Sequence, residues 1–186
     1  MHLRTNARTT CPLSSVLSYV CEYRSFSVHL KRLLSCEDHS GSTCIASFIS
    51  QTHIIIANCG DSRAVLARGG NVHFSSVDHK PTDAGETARI QGAGGFIEMG
   101  RVCGNLAVSR SLADFQYKDR ADLPATKQKV TAASDMTTIA RDASDEFLLL
   151  CCDGIWDVMS NEDAVEFVSN HLKVRSFPTF STPTED

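Results

Sequence analysis

Eight cysteines form no Cys-x-x-Cys pair, so the sequence lacks the spacing by which thiolates hold a structural zinc. Cys44, Cys59, Cys151 and Cys152 fall inside apolar, strand-like runs, where a thiol behaves as a small hydrophobe. A chain of 186 residues with 42% hydrophobic composition can build a core without disulfides, which points to a reducing compartment. Positive charge is short as well. The 18 Lys and Arg against 22 Asp and Glu give a net charge of -4, which offers no basic footprint to nucleic acid or an anionic membrane. No apolar run approaches the length of a membrane span. Acidic residues are missing before Glu22, while Arg4, Arg8 and many Ser and Thr are present. An organelle transit segment has that composition, and so does an unstructured N-terminus. The cytoplasm is the expected location, with nucleus or mitochondrion as alternatives.

What the sequence does contain is a strand that ends on a carboxylate. The apolar run from Phe147 to Cys152 stops at Asp153-Gly154, and Asp157 follows four residues on. An aspartate at a rigid sheet edge is a natural ligand for a hard cation, although Asp-Gly is also an ordinary turn signal. Upstream, Cys44–Ile49 and His53–Cys59 read as strands, followed by 62–68, the two-glycine turn Gly69-Gly70 and a strand over Asn71–Ser75. The four together read as an antiparallel meander. Thr82 or Asp83 is placed to cap a short helix through Ile90, and Leu106–Val108 suggests one more short strand. The stretch from Ala113 to Asp135 reads as loop, and the strand ending at Cys152 as a central one. Ser160 with Asp163 three residues later marks a helix start, with Val165, Phe167, Val168 and Leu172 on its apolar side. Val16, Leu17, Val20, Tyr23, Leu30, Leu33 and Leu34 recur at loose helical spacing. Residues 1–15 and the tail from Phe177 read as disordered. Mixed rather than alternating elements argue for a layered α+β fold.

Several blocks follow one another along the chain: Gly41-Ser42-Thr43-Cys44, Asn58-Cys59-Gly60-Asp61-Ser62-Arg63, Asp78-His79-Lys80-Pro81, Ser109-Arg110 with Asp114, and Cys152-Asp153-Gly154. Together they resemble the type 2C (PPM) family of metal-dependent serine/threonine protein phosphatases, over roughly Ser40 to His171. The resemblance implies a partial four-layer αββα sandwich. It divides the chain into a divergent N-terminal segment over 1–39, an incomplete phosphatase domain over 40–172 and a tail over 173–186. It implies hydrolysis of phosphoserine and phosphothreonine in protein substrates by a metal-activated water, with two or more magnesium or manganese ions and a monomeric chain. Asp153 corresponds to a metal-binding aspartate of the family. Asp61 and Asp157 correspond to aspartates of a further, weaker metal position.

Departures from the family pattern are as informative. The family's N-terminal Arg/Glu-Asp and Asp-Gly-His-Gly-Gly blocks supply a phosphate-binding arginine, a metal-bridging aspartate and a general-acid histidine, and neither block is found. Glu37-Asp38-His39-Ser40-Gly41 imitates the second but abuts the Gly-Ser-Thr strand directly. The final Asp-Asn-(Met/Cys)-Thr strand is absent too, and Asp135-Met136-Thr137-Thr138 lies in the wrong order to replace it. No residue is therefore assigned a catalytic role, and weak or no activity is expected from this chain alone. Ala113 stands where the family has glycine, which would cost on the order of 1 kcal/mol if that position needs a positive φ. His79 reads as a hydrogen-bonded structural histidine in a turn, and Arg63 and Arg110 as buried salt bridges or carbonyl clamps, with phosphate contact as the alternative for both arginines. A pseudophosphatase-like module that binds phosphoproteins or a partner is the alternative function. A Gly-Asp-Ser esterase is a poor third, because neither His79 nor His171 has the Asp-x-x-His context of a base partner. Cys103 and Arg110 are one residue too far apart for a thiol phosphatase loop.

Overall fold

The computed structural model describes residues 40–174. The readings made for residues 1–39 and for the tail beyond 174 lie outside the described residues. In chain order the strands are β1 (Gly41–Ser42), β2 (Cys44–Ile49), β3 (His53–Cys59), β4 (Arg63–Arg68) and β5 (Asn71–Ser75). Helix α1 (Ala84–Gly92) follows, then β6 (Ile97–Glu98), β7 (Arg101–Val102) and β8 (Leu112–Ala113). After two 3-10 turns come β9 (Asp135–Ala140), β10 (Asp145–Cys151), the single-turn α2 (Asp153–Trp156) and α3 (Asn161–Val174).

Two three-stranded antiparallel sheets, β2-β3-β9 and β10-β4-β5, face each other. Side chains alternate along a strand, so directly paired residues share one face. Ile54 and Ile56 of β3 meet Ala64 and Leu66 of β4 between the sheets, with Ile45, Ile49, Phe74, Ile139, Leu148 and Leu150 around them. On the outer side of β10-β4-β5, Val65, Ala67 and Phe147 receive Trp156, Ala164 and Val165 from α2 and α3. A helical layer and two sheets are thus in place, the α+β sandwich with three of its four layers among the described residues. A side lobe built from α1, the β6-β7 hairpin and the following loop closes on Ile90, Val102, Tyr117 and Val130. None of the described helices is long and apolar enough to cross a membrane.

Several sequence expectations hold to the residue. The bounds of β2, β3 and β5 agree, and Asp83 is the N-cap of α1. Ser160 and Asp163 make a reciprocal capping box: Ser160 Oγ accepts from Asp163 N (3.0 Å), and Asp163 Oδ2 accepts from Ser160 N (3.4 Å) and from Ser160 Oγ (2.6 Å). Others are corrected. The meander does not exist, because the chain leaves one sheet after β3 and enters the other at β4. Leu106 makes only an isolated bridge to Val102, not a strand. β10 pairs with β4 alone among the described strands, so it is an edge rather than the centre. Its partner β4 is the buried central strand, with four consecutive residues from Ala64 to Ala67 at 0–1% exposure. The loop reading after Ala113 also misses that Tyr117 and Val130 are core residues.

Ala113 does sit in the left-handed region, at φ 60°, and Asp114 follows at φ 48°. The backbone there is held from both sides. β8 pairs with β1, Asp114 N donates to Ser40 O (3.1 Å), and Ser111 Oγ donates to Asp114 Oδ2 (2.5 Å). Gly41 is required opposite, since a Cβ at that position would overlap the Asp114 carboxylate. We expect Ala113→Gly to stabilise the protein by about 1 kcal/mol, because glycine removes the Cβ penalty at positive φ. Urea denaturation checks this, and an unchanged or lower midpoint would contradict the strain argument.

Candidate active site

The crossover between the sheets places the first candidate ligand. Gly60, at φ 115°, turns the chain out of β3, and Asp61 and Ser62 lie in the bend before β4. His79 fixes this turn. Its Nδ1 accepts from Gly60 N (3.1 Å), its own N–H donates to Gly60 O (2.9 Å), and its Nε2 pairs with Asp135 Oδ2 (3.1 Å). An accepting Nδ1 leaves the proton on Nε2, so the ring donates to Asp135. At 4% exposure His79 is a brace for the crossover, as the sequence reading held. Ser62 is buried and hydrogen-bonds to Thr43 Oγ1 (2.9 Å), and among the described residues no histidine is hydrogen-bonded to it as the base a nucleophile needs.

Asp61 is itself buried, and its Oδ2 accepts from Lys80 Nζ at 3.0 Å. Lys80 also approaches Asp78 at 3.9 Å. Partial burial opposes the lysine's charge, but the hydrogen bond to Asp61 and the charges of Asp61, Asp78 and Asp157 outweigh it and raise its pKa. Asp61 and Asp157 therefore act on one ammonium. Asp153 opens the turn that Asp157 closes, since Asp157 N donates to Asp153 O (2.8 Å), while Asp153 Oδ1 accepts from Gly154 N (2.8 Å). Trp156 anchors that turn by donating from Nε1 to Cys151 O (2.8 Å). Arg63 lies over the Trp156 ring at 5.1 Å, grips Asp78 through two 2.9 Å bonds and reaches Asn161 Oδ1 (2.9 Å). The base of the site, β4, α2 and the start of α3, is thus tied into one piece.

A divalent centre needs several converging anionic oxygens. Among the described residues no group of three or more His, Cys, Asp or Glu is arranged to hold a metal. Asp61 is already neutralised by Lys80, and Asp153 and Asp157 are exposed. These carboxylates do not by themselves fit such a centre. Burial pushes up the thiols of Cys59 and Cys151, which stay protonated and poor as nucleophiles.

Sequence reasoning missed two residues that organise this region. Lys80 was visible only as part of a turn block, though a lysine two residues after an aspartate and beside a metal-type loop is a signal for a competing cation. Glu86, buried on α1, accepts from Arg110 Nη2 (2.8 Å), Arg110 Nε (3.1 Å), Arg89 Nη1 (2.6 Å) and Ser109 Oγ (2.6 Å). Its spacing from Arg89 was the available clue. Arg110 continues to Asp135 Oδ1 (2.7 Å) and Ala133 O (3.1 Å), which makes it the clamp the sequence suggested.

Comparison with known proteins agrees with these blocks. Residues 14–184 match the family described as protein phosphatase 2C. The chain belongs to the protein phosphatase 2C family. Protein phosphatase 1B of Rattus norvegicus is 53% identical over 137 residues, which cover 74% of this chain and 35% of that protein. Protein phosphatase 2C homolog 2 of Schizosaccharomyces pombe is 49% identical over 140 residues, 75% of this chain and 38% of that protein. A crystal structure of a phosphatase from Toxoplasma gondii superposes with a TM-score of 0.62 at 35% identity, over 66% of this chain and 38% of that one. The chain therefore spans only about a third of the length of these family members, 35% in the rat protein.

Proposed function

We propose that this chain carries part of a metal-dependent protein serine/threonine phosphatase, acting on phosphoserine and phosphothreonine in protein substrates. The family match over residues 14–184, which contains all three candidate aspartates, carries the reading. In it Asp153, Asp157 and Asp61 contribute to a magnesium or manganese centre that other ligands must complete, because the described carboxylates do not compose one. Bound divalent ions would supply an activated water and neutralise phosphoryl oxygens. The contribution of this chain's own residues is positional: His79 and Gly60 hold the Asp61 turn, and Trp156 and Arg63 hold the turn bearing Asp153 and Asp157. We place the chain in the cytoplasm, as a monomer, with weak or no activity by itself.

The test is an assay on a phosphothreonine peptide with manganese, with and without chelator. The chain is compared with a chimera that carries the family's two N-terminal blocks upstream. We expect turnover only from the chimera, stopped by chelator, and reduced by Asp153→Asn on the order of 100-fold or more. Equal, chelator-insensitive hydrolysis by both forms would sink the metal reading. A second reading, a pseudophosphatase-like binding module, is favoured by the Lys80–Asp61 ion pair, which supplies a cation without any metal. It expects the same peptide to bind without turnover, whether chelator is present or not.

A further inference from the structure

Two of the described cysteines face each other across a strand ladder. Cys44 opens β2 and Cys59 closes β3, directly opposite in the antiparallel register, so their Cβ atoms leave the sheet on the same side. The ladder also fixes their spacing. At the far end of the hairpin Ser50 N donates to His53 O (2.8 Å), which makes 50 and 53 a hydrogen-bonded pair. Such pairs recur at every second residue of an antiparallel ladder, so 44 and 59 are one as well. Cα atoms in these pairs stand about 5.5 Å apart, inside the span of about 4.4–6.8 Å that a disulfide bridges. No other two of the described cysteines are placed this way. Cys151 packs against the α3 core while its neighbour Cys152 is exposed, and Cys103 belongs to the side lobe.

We propose that Cys44 and Cys59 are a peroxide-oxidisable dithiol, whose cross-strand disulfide staples the turn that carries Asp61. Access sets the order of events. Cys44 is half-buried and is the thiol that a small oxidant reaches, whereas Cys59 is fully buried. Hydrogen peroxide transfers one hydroxyl to the Cys44 sulfur, and its other oxygen leaves as water with the Cys44 proton. Cys59 Sγ then attacks the Cys44 sulfur, the S–O bond breaks, and the hydroxyl departs as a second water with the Cys59 proton. Two electrons thus pass from the sulfur pair to one peroxide. Burial holds Cys59 protonated, and the charge that Cys44 would carry adds to this, so the two thiols are within electrostatic reach. A protonated thiol attacks slowly in solution, but here its target is fixed opposite, and an intramolecular step needs less reactivity.

Position gives the bond its consequence. Cys59 adjoins Gly60, where the chain turns towards Asp61. Cys44 adjoins Thr43, whose Oγ1 lies 2.9 Å from Ser62 Oγ on the other side of Asp61. A 44–59 bond therefore ties together the two stretches of backbone that flank the turn. Cys59 Sγ lies 3.9 Å from Thr131 O and would exchange that weak contact for a covalent one. A bridge with one accessible sulfur is the reducible kind, so glutathione reopens it and the resting state is the dithiol.

The test takes the full chain, reduced, then treated with hydrogen peroxide, alkylated and digested with chymotrypsin, which cuts after Phe48 and separates the two cysteines. We expect the peptide ending at Phe48 to be linked to the peptide holding Cys59, and the link to vanish on dithiothreitol. It should be absent from Cys44→Ser and from Cys59→Ala, and should persist in Cys36→Ser, since Cys36 shares the Phe48 peptide. Cys44→Ser alters a half-buried position, so the loss remains readable even where Cys59→Ala does not fold. In the linked chain the Gly60 amide should exchange at least about tenfold slower than in the reduced chain. Linkage of Cys44 to any cysteine other than Cys59, linkage between two copies, or oxidation of Cys103 or Cys152 while Cys44 and Cys59 stay free would overturn the proposal. A linked chain with an unchanged Gly60 amide would overturn the staple.

Discussion

Glu86→Gln is expected to destabilise the protein by about 3 kcal/mol at neutral pH, because it removes the one anion among the described residues that touches both Arg89 and Arg110. Burial alone would push the Glu86 carboxyl up. The hydrogen bonds from Arg110, Ser109 and Arg89 outweigh burial and bring it from 4.5 to about 2. Each unit of such a difference is worth about 1.4 kcal/mol, so the depression and the cost of breaking a buried pair agree in size. The sign fixes the pH window. A depressed carboxyl contributes stability that is fully present above its unfolded value near 4.5 and is lost as pH falls through about 2. Urea melts of the wild type and the variant should therefore differ by about 3 kcal/mol at pH 7, and the gap should close as pH drops from 4.5 towards 2. A gap that stayed constant across that range would show that Glu86 acts through packing rather than charge. The consequence reaches the candidate site, because Arg110 passes from Glu86 to Asp135, and Asp135 holds the imidazole that braces the Gly60 turn.

Local signals were legible in the sequence and spatial ones were not. Alternation and turn residues located β2, β3 and β5, since these depend on neighbours within one strand. Ser160 and Asp163 gave away their helix because a capping box is closed within four residues. The glycine that the family has at the position of Ala113 raised a positive φ only as a condition, which the observed φ of 60° meets. Which sheet a strand joins depends instead on long-range pairing, so the split between β3 and β4 left no mark in the hydrophobic pattern. β9 went unread because Asp135, Thr137 and Thr138 look polar, although half-exposed edge strands tolerate such residues. The candidate site divides the same way. Asp153 was legible as the end of an apolar run. The pairing of Asp61 with Lys80, nineteen residues apart, follows from the crossover geometry and not from either residue's neighbours.

The crossover itself carries the other large effect. Gly60→Ala is expected to cost on the order of 3 kcal/mol or more, from two independent sources. At φ 115° the backbone lies outside the region that any residue with a Cβ adopts readily, a strain of about 1–3 kcal/mol. The added methyl would also run into the Thr43 side chain and approach Arg110 O at 3.1 Å, both in packed surroundings, at a further 1–3 kcal/mol or so. Relief would require Thr43 to give way, and with it the Thr43–Ser62 hydrogen bond on the other side of Asp61. The variant should therefore lose a substantial share of a typical domain stability of about 5–15 kcal/mol, or remain folded with the 60–62 turn displaced. Denaturant melts read the first outcome. The second appears as deprotection of the Gly60 amide, which is otherwise locked on His79 Nδ1. If Gly60→Ala melted like wild type and kept that amide protected, the turn would not be what fixes Asp61 at the junction of the two sheets.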